Sequence, residues 1–196
     1  MAAPTHAFGQ SSNGTNGQRT TAELGIILFL ASDIMLFAPF FAAYFLLRST
    51  TEAWPPEQVE LDLLRAALGT LVLVSSSLSL ASADRGLEHA DRARALRWVL
   101  VTIALGAIFL ANQVAEYTTL DFGPGDHSYG SIYWGITMLH GAHVTVGLVA
   151  LSALYVRAAR AQPLNSTASW AKGVSLFWHL VDIVWVAVFL TIWVMR

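Results

Sequence analysis

Residues Ile132 to Gly147 read IYWGITMLHGAHVTVG, and residues Phe177 to Trp185 read FWHLVDIVW. Each stretch lies within an apolar run that is long enough to cross a bilayer, yet each contains histidine, and the second also contains an aspartate. Ionisable side chains are costly at membrane depth, so they normally face a protein interior and serve packing or transport. The sequence therefore predicts polar contacts buried inside a membrane protein.

The composition excludes an ordinary soluble domain. The chain has 196 residues, of which 55% are hydrophobic and 12% are charged, whereas about a quarter of a typical soluble domain is charged. A spanning helix needs about 20 largely apolar residues. Five runs qualify: Leu24–Leu47, Ala66–Ala83, Trp98–Ala115, Ile132–Val156 and Val174–Met195. We predict an all-α, multi-pass membrane bundle of five transmembrane helices.

The predicted domain organisation has two parts. Residues 1–22 are polar and lack the apolar core of a cleavable signal peptide, so we expect a flexible tail. Residues 23–196 form the membrane domain. The chain contains no cysteine, which excludes disulfides and thiolate chemistry.

The basic residues predict an orientation, because Lys and Arg accumulate in loops that stay in the cytoplasm. Segments on one side of the five helices contain eight of the eleven basic residues: Arg19, Arg85, Arg92, Arg94, Arg97, Arg157, Arg160 and Lys172. The other side contains three: Arg48, Arg65 and Arg196. We expect the N-terminus inside and the C-terminus outside.

Two acidic residues are candidate sites on the first and third helices. Asp33 lies about 13 Å from the inner end of its helix at 1.5 Å per residue, where it either bonds a neighbouring helix or takes part in a proton route. Glu116 belongs to a polar outer helix end and is either an interfacial residue or the partner of an inward histidine.

The remaining candidates are three histidines and one aspartate. His140 and His143 share a face of one helix by their spacing, and so do His179 and Asp182 on another. An imidazole beside a carboxyl group is a natural buried pair, so we expect His179 and Asp182 to satisfy each other. Asp33 and His179 lie at similar depth. His143 and His179 lie roughly 12 Å apart along the membrane normal, too far for one metal ion, so we predict no metal site.

The order of these motifs resembles subunit III of the haem-copper respiratory oxidases, in the short form that lacks the first two of seven helices. The resemblance covers residues 24–196. The matching stretches are FLASDIMLF (29–37), TLVLVSS (70–76), LGAIFLANQVAEY (105–117), LHGAHV (139–144) and FWHLVDIVW (177–185). The intramembrane acid is usually glutamate in this family, and Asp33 is one methylene shorter. The tract Trp54-Pro-Pro and residues 60–64 resemble the actinobacterial type of cytochrome c oxidase.

The resemblance implies a non-catalytic core subunit of an aa3-type cytochrome c oxidase in a bacterial plasma membrane. Such a subunit braces subunit I, binds phospholipid, and supports proton uptake and turnover stability. The resemblance places haem a and copper in subunits I and II and no cofactor in this chain. A fourth subunit and a respiratory supercomplex stay open as further partners, and no nucleic acid is expected.

Lipid candidates and rival functions complete these expectations. The basic inner loop is either a binding site for anionic lipid headgroups or a determinant of topology alone. The candidates for lipid contact are Arg85, Arg92, Arg94, Arg97 and Trp178. One alternative function is subunit III of a quinol oxidase or of a nitric-oxide-reductase-associated homologue. Another is a free-standing membrane carrier of metal or protons.

Overall fold

The computed structural model describes residues 14–56, 59–160 and 168–195. Within these residues the chain forms five α-helices and no strand: α1 Gly14–Thr50, α2 Leu63–Glu88, α3 Arg92–Tyr117, α4 Ser128–Arg160 and α5 Ala168–Phe189. A π-helical turn, Leu190–Val194, continues α5. Each of the five α-helices contributes a segment that is long and apolar enough to cross a membrane. The predicted all-α membrane bundle of five helices is confirmed.

The first helix begins earlier than the sequence predicts. α1 starts at Gly14, within the polar segment expected to be a flexible tail over residues 1–22. Once a helix has nucleated, each residue that joins it adds one backbone hydrogen bond, and only that residue loses its conformational freedom. Helical structure therefore extends into polar residues beside the helix. The backbone of residues 14–22 is therefore helical, and residues 1–13 lie outside the described residues.

Aspartate caps define where two of the spanning helices begin. Asp62 precedes α2, and its Oδ1 accepts a hydrogen bond from the Arg65 backbone N–H at 3.0 Å. Asp91 precedes α3 and accepts from the Arg94 backbone N–H at the same distance. Each cap satisfies one of the free N–H groups of a first helical turn. The short connection between α2 and α3 thus ends in a defined helix start.

Four helices form a closed ring, and the fifth lies outside it. α2 packs against α3 and α5, and α4 packs against the same two helices. α1 packs against α4 and, less extensively, against α5. Much of the α1 surface is consequently exposed in the isolated chain, including the large apolar side chains Leu24, Ile27, Leu28, Phe29, Ile34, Met35, Leu36, Phe45 and Leu46.

The two ends of the bundle differ in charge. We call the end that carries the α2–α3 turn and the C-terminus of α4 the basic end, because it holds Arg85, Arg92, Arg94, Arg97, Arg157 and Arg160. The opposite end, which holds the N-terminus of α2 and the C-terminus of α3, is the acidic end. Its residues include Glu60, Asp62, Glu116 and Asp121.

Candidate functional site

Asp33 and His143 form a contact between α1 and α4. His143 Nε2 lies 3.8 Å from Asp33 Oδ1. The other ring nitrogen of His143, Nδ1, lies 2.8 Å from the Leu139 carbonyl oxygen. A carbonyl only accepts, so Nδ1 carries a hydrogen, and Nε2 is the nitrogen directed at the carboxyl group. The Phe37 ring packs on the imidazole with centroids 5.1 Å apart.

The sequence places Asp33 and His179 at similar depth, but the structure pairs Asp33 with His143. The similar depth of the two residues was a weak guide, because depth does not say which helices are neighbours. α1 packs chiefly against α4, so its acid meets a histidine of α4. His179 instead lies on α5 and faces α2.

A serine connects His179 and Asp182 across the contact between α2 and α5. Ser77 Oγ lies 2.9 Å from His179 Nδ1 and donates a hydrogen bond to Asp182 Oδ2. The expectation that the histidine and the aspartate bond each other directly is therefore replaced by a bridge through Ser77. Since Ser77 has one proton and gives it to Asp182, it must accept from His179, which places a hydrogen on Nδ1.

The same contact continues toward the basic end through two further polar residues. Ser175 Oγ donates a hydrogen bond of 2.6 Å to Asp84 Oδ2. Sequence reasoning did not single out Ser77, Asp84 or Ser175. The signal was present for Ser175, which lies four residues before His179 and therefore shares its helix face. For Ser77 and Asp84 only the packing of α2 against α5 supplies the connection.

Glu116 pairs with a tyrosine of α4. The Tyr133 hydroxyl donates to Glu116 Oε1 at 3.3 Å, and both side chains are buried. Of the two alternatives left open for Glu116, the pairing with an inward histidine is not what the structure shows, and Tyr133 is the partner. The physical reason is depth, because Tyr133 lies near the acidic end of α4 whereas His140 lies two turns deeper.

His140 lies in an aromatic enclosure at the centre of the bundle. Its side chain is 0% exposed. The Trp185 ring lies 4.8 Å away in a tilted arrangement, and the Phe109 ring meets it edge-on at 5.8 Å between centroids. Neither ring nitrogen has a hydrogen-bond partner among the described residues.

The three histidines thus lie in three different contacts between helices. Among the described residues, no group of three or more His, Asp or Glu side chains is placed to hold a metal ion.

Trp178 is a core residue, and its expected contact with lipid is wrong. The side chain is 0% exposed, and its indole Nε1 donates to Ser76 Oγ at 2.9 Å. Small residues of neighbouring helices allow the helices to approach closely around a large side chain. The indole therefore contacts α2, α3 and α4 and offers no surface to a lipid.

The four arginines proposed for lipid contact differ in their surroundings. Arg92 Nη1 donates to the Ala159 carbonyl oxygen at 3.0 Å and ties the start of α3 to the end of α4. Arg97 Nε donates to the Ala93 carbonyl oxygen one turn earlier at 3.2 Å. The Arg85 and Arg94 side chains are exposed at the basic end.

An apolar groove runs between α1, α4 and α5. Its volume is about 320 Å³, and its lining comes almost entirely from apolar side chains. The lining residues are Ile26, Phe29, Leu30, Val146, Ala150, Trp170, Gly173, Val174 and Phe177. Arg157 lies two turns beyond Ala150 on the same face of α4. A basic side chain is therefore located just past the end of the groove.

Comparison with known proteins gives one consistent result. The family model for cytochrome c oxidase subunit III matches residues 9–195. Cytochrome c oxidase subunit 3 of Thermostichus vulcanus is 34% identical over 175 residues, which are 88% of this chain and 86% of the relative. A probable cytochrome c oxidase subunit 3 of Nocardia farcinica is 38% identical over 177 residues, with 88% and 87% covered.

A relative of nearly the same length extends this agreement. The probable cytochrome c oxidase subunit 3 of Mycobacterium bovis is 36% identical over 203 aligned residues, which cover 95% of this chain and 99% of the relative. The matches thus include both the membrane helices and their connections. The chain belongs to the cytochrome c oxidase subunit III family.

Proposed function

We propose that this chain is the non-catalytic subunit III of an aa3-type cytochrome c oxidase in a bacterial plasma membrane. The observation that carries the proposal is the match to the family over residues 9–195. Relatives from Nocardia and Mycobacterium, at 38% and 36% identity, support the cytochrome c oxidase type over the quinol oxidase type. Oxygen reduction then takes place in partner subunits that hold haem a and copper.

The proposed mechanical role is to brace subunit I. The outward face of α1 supports it, because this face carries many large apolar side chains that stay exposed among the described residues. Ile27 and Met35 are 60% and 73% exposed. We assign this face to the contact with subunit I and with the phospholipid that lies between the two subunits.

The proposed chemical role is support of proton uptake, and Asp33 with His143 is the site that we assign to it. The Asp33 Oδ2 atom is buried without a hydrogen-bond partner among the described residues, while Oδ1 lies opposite His143 Nε2. A proton on either residue is therefore attracted to the other. Because α1 is the outermost helix, this pair lies close to the proposed contact with subunit I.

Lipid binding is the third element of the proposal. The apolar groove between α1, α4 and α5 suits an acyl chain, because burial of methylene groups is favourable and its lining offers few polar groups. Arg157 follows this groove, and the exposed Arg85 and Arg94 lie at the same end of the bundle. Basic side chains near a membrane surface attract anionic headgroups, each by about 1 kcal/mol.

One purification tests the central proposal. A C-terminal affinity tag on this chain, followed by extraction in mild detergent, should recover a haem a-containing subunit I and a copper-containing subunit II. The purified complex is expected to show the optical spectrum of haem a, and the separated chain is expected to be colourless. Stoichiometric haem or metal on the separated chain, or a colourless preparation without partners, would contradict the proposal and favour a free-standing carrier.

A cross-linking experiment tests the orientation of the bundle within the complex. A photoreactive residue replaces Met35 on α1, and the matched control replaces Leu78 on α2, which is exposed to a similar extent at 69%. The Met35 position is expected to cross-link to subunit I with higher yield than the Leu78 position. The reverse ranking would assign α2 to the interface and leave the oxidase role itself intact.

A further inference from the structure

The contact between α3 and α4 contains buried polar atoms that protein groups leave unsatisfied. Among the described residues, neither nitrogen of His140 has a hydrogen-bond partner, and the same holds for Gln113 Nε2 and the Tyr117 hydroxyl. Gln113 is 2% exposed and His140 is 0% exposed. Buried polar groups in proteins are nearly always hydrogen-bonded, and ordered water is the usual partner where side chains supply none.

These atoms are aligned along the two helices. Tyr133, Thr137 and His140 occupy one buried face of α4, and Gln113 lies on the facing side of α3. The two helices are in register at both ends, because the Tyr133 hydroxyl bonds Glu116 at one end and the ring of Phe109 contacts that of His140 at the other. Gln113 on α3 and Thr137 on α4 lie between these contacts.

The polar groups of α4 extend over more than one hydrogen-bond length. Tyr133 and His140 are seven residues apart, which corresponds to about 10 Å along the helix axis. Hydrogen-bonded oxygen atoms lie about 2.8 Å apart, so about two or three bridging molecules would span this length. The Tyr117 hydroxyl lies close to the side chains of Thr137 and Gln113, without a hydrogen bond of normal length and angle to a described residue.

Glu116 connects the contact between α3 and α4, called the seam below, with the acidic end of the bundle. A polar cavity of about 420 Å³ lies there, and Glu116 forms part of its wall together with Arg65 and Asp121. Arg65 is held by Asn112, whose Oδ1 accepts from Arg65 Nε at 3.1 Å. Glu116 therefore belongs both to the wall of the cavity and to the hydrogen bond with Tyr133.

We propose that the α3–α4 seam binds a file of ordered water molecules that runs from the cavity at Glu116 past Gln113, Tyr117 and Thr137 to His140. Water suits this site because it both donates and accepts, as a neutral imidazole requires at its two nitrogens. Phe109 and Trp185 cover the ring of His140, so water reaches the nitrogens in the plane of the ring. The proposal does not depend on the oxidase role of the chain.

A matched pair of substitutions on α4 provides the test. Thr137 and Thr145 each donate a hydroxyl hydrogen bond to a carbonyl one turn earlier, at 2.6 and 2.8 Å. Thr137 is buried in the seam, whereas Thr145 lies about two turns further along α4 and is exposed. Replacement of threonine by valine preserves side-chain shape and removes the hydroxyl, so Thr137→Val and Thr145→Val differ mainly in where the hydroxyl is lost.

The experiment uses the intact, purified complex. A cryo-EM map at a resolution that shows ordered water should contain density within hydrogen-bonding distance of a His140 nitrogen and of Gln113 or Tyr117. X-ray hydroxyl-radical footprinting, which oxidises side chains beside bound water, should label Tyr117 and His140. Thr137→Val should lower that labelling several-fold, and Thr145→Val should leave it unchanged.

Two results would overturn the proposal. One is a map of the unmodified complex that resolves water elsewhere in the subunit but none along the seam. The other is labelling of His140 and Tyr117 that does not change in a correctly assembled Thr137→Val complex. Poor assembly of that variant leaves the decision to the map of the unmodified complex, which settles the question by itself.

Discussion

The indole of Trp178 fills the space that a side chain at Gly147 would need. A Cβ atom added at Gly147 would lie 2.8 Å from Cε3 and 2.9 Å from Cζ3 of this tryptophan, closer than non-bonded carbon atoms approach. Gly106 on α3 faces the same ring, with a hypothetical Cβ 2.6 Å from Cη2. Two glycines on two helices thus define the position of the central tryptophan of α5.

Gly147→Ala is therefore expected to destabilise the subunit. Overpacking of a tight core costs about 1–3 kcal/mol, which outweighs the gain of up to about 1 kcal/mol that alanine brings in helix propensity. The measurement is the thermal release of this subunit from the purified complex. Gly141→Ala is the control on the same helix, because its Cβ would find its nearest neighbour at 3.9 Å. Equal stability of the two variants would contradict the conclusion that the indole of Trp178 leaves no space for a side chain at Gly147.

Ser77→Ala is expected to weaken the contact between α2 and α5. The substitution removes the bridge and leaves the buried carboxyl group of Asp182 and the partly buried ring of His179 without this partner, at a cost of about 1–3 kcal/mol. Ser75→Ala is the matched control, because Ser75 is exposed and bonds only the Leu71 carbonyl of its own helix. Chemical denaturation or subunit retention in detergent measures the difference. A Ser77→Ala complex as stable as the control would show that the bridge is not structural.

Asp33→Asn is expected to assemble normally and to function poorly over time. The amide keeps the size and polarity of the carboxyl group but does not exchange protons, so His143 loses its acidic partner. We expect slower turnover-linked proton uptake or a shorter active lifetime, measured as oxygen consumption through successive turnovers. Ser32→Ala, next to it on α1, is the control, because that hydroxyl bonds only the Leu28 carbonyl. Unchanged rate and lifetime would assign Asp33 to packing alone.

Arg92→Ala is expected to lower stability more than Arg94→Ala. Arg92 donates to the Ala159 carbonyl near the end of α4, where carbonyl groups lack partners within the helix. Loss of this hydrogen bond should cost about 1 kcal/mol, measured by thermal unfolding in detergent. Arg94 lies two residues along the same helix with an exposed side chain. The opposite ranking would show that Arg92 does not stabilise the contact between α3 and α4.

Helix number and type were predictable because the bilayer imposes them. A run of about 20 apolar residues has to satisfy its backbone internally, and only a helix does so within a single segment. The start of α1 at Gly14 was not predictable in this way. Polar residues before a membrane segment obey no such constraint, so their structure depends on the helix that follows them.

In the candidate site, too, the sequence predicted one part and the packing of the helices decided another. The sequence predicted that Asp33, His140, His143, His179, Asp182 and Glu116 make polar contacts inside a membrane bundle, because charge and hydrogen-bonding capacity at that depth require protein partners. In the structure His140, Asp182 and Glu116 are buried, and the other three are partly buried. The partners themselves were decided by the tertiary structure. Asp33 meets His143, Glu116 meets Tyr133, and Ser77 stands between His179 and Asp182. Helical periodicity says which residues share a face, but the neighbour of that face follows from how the helices pack.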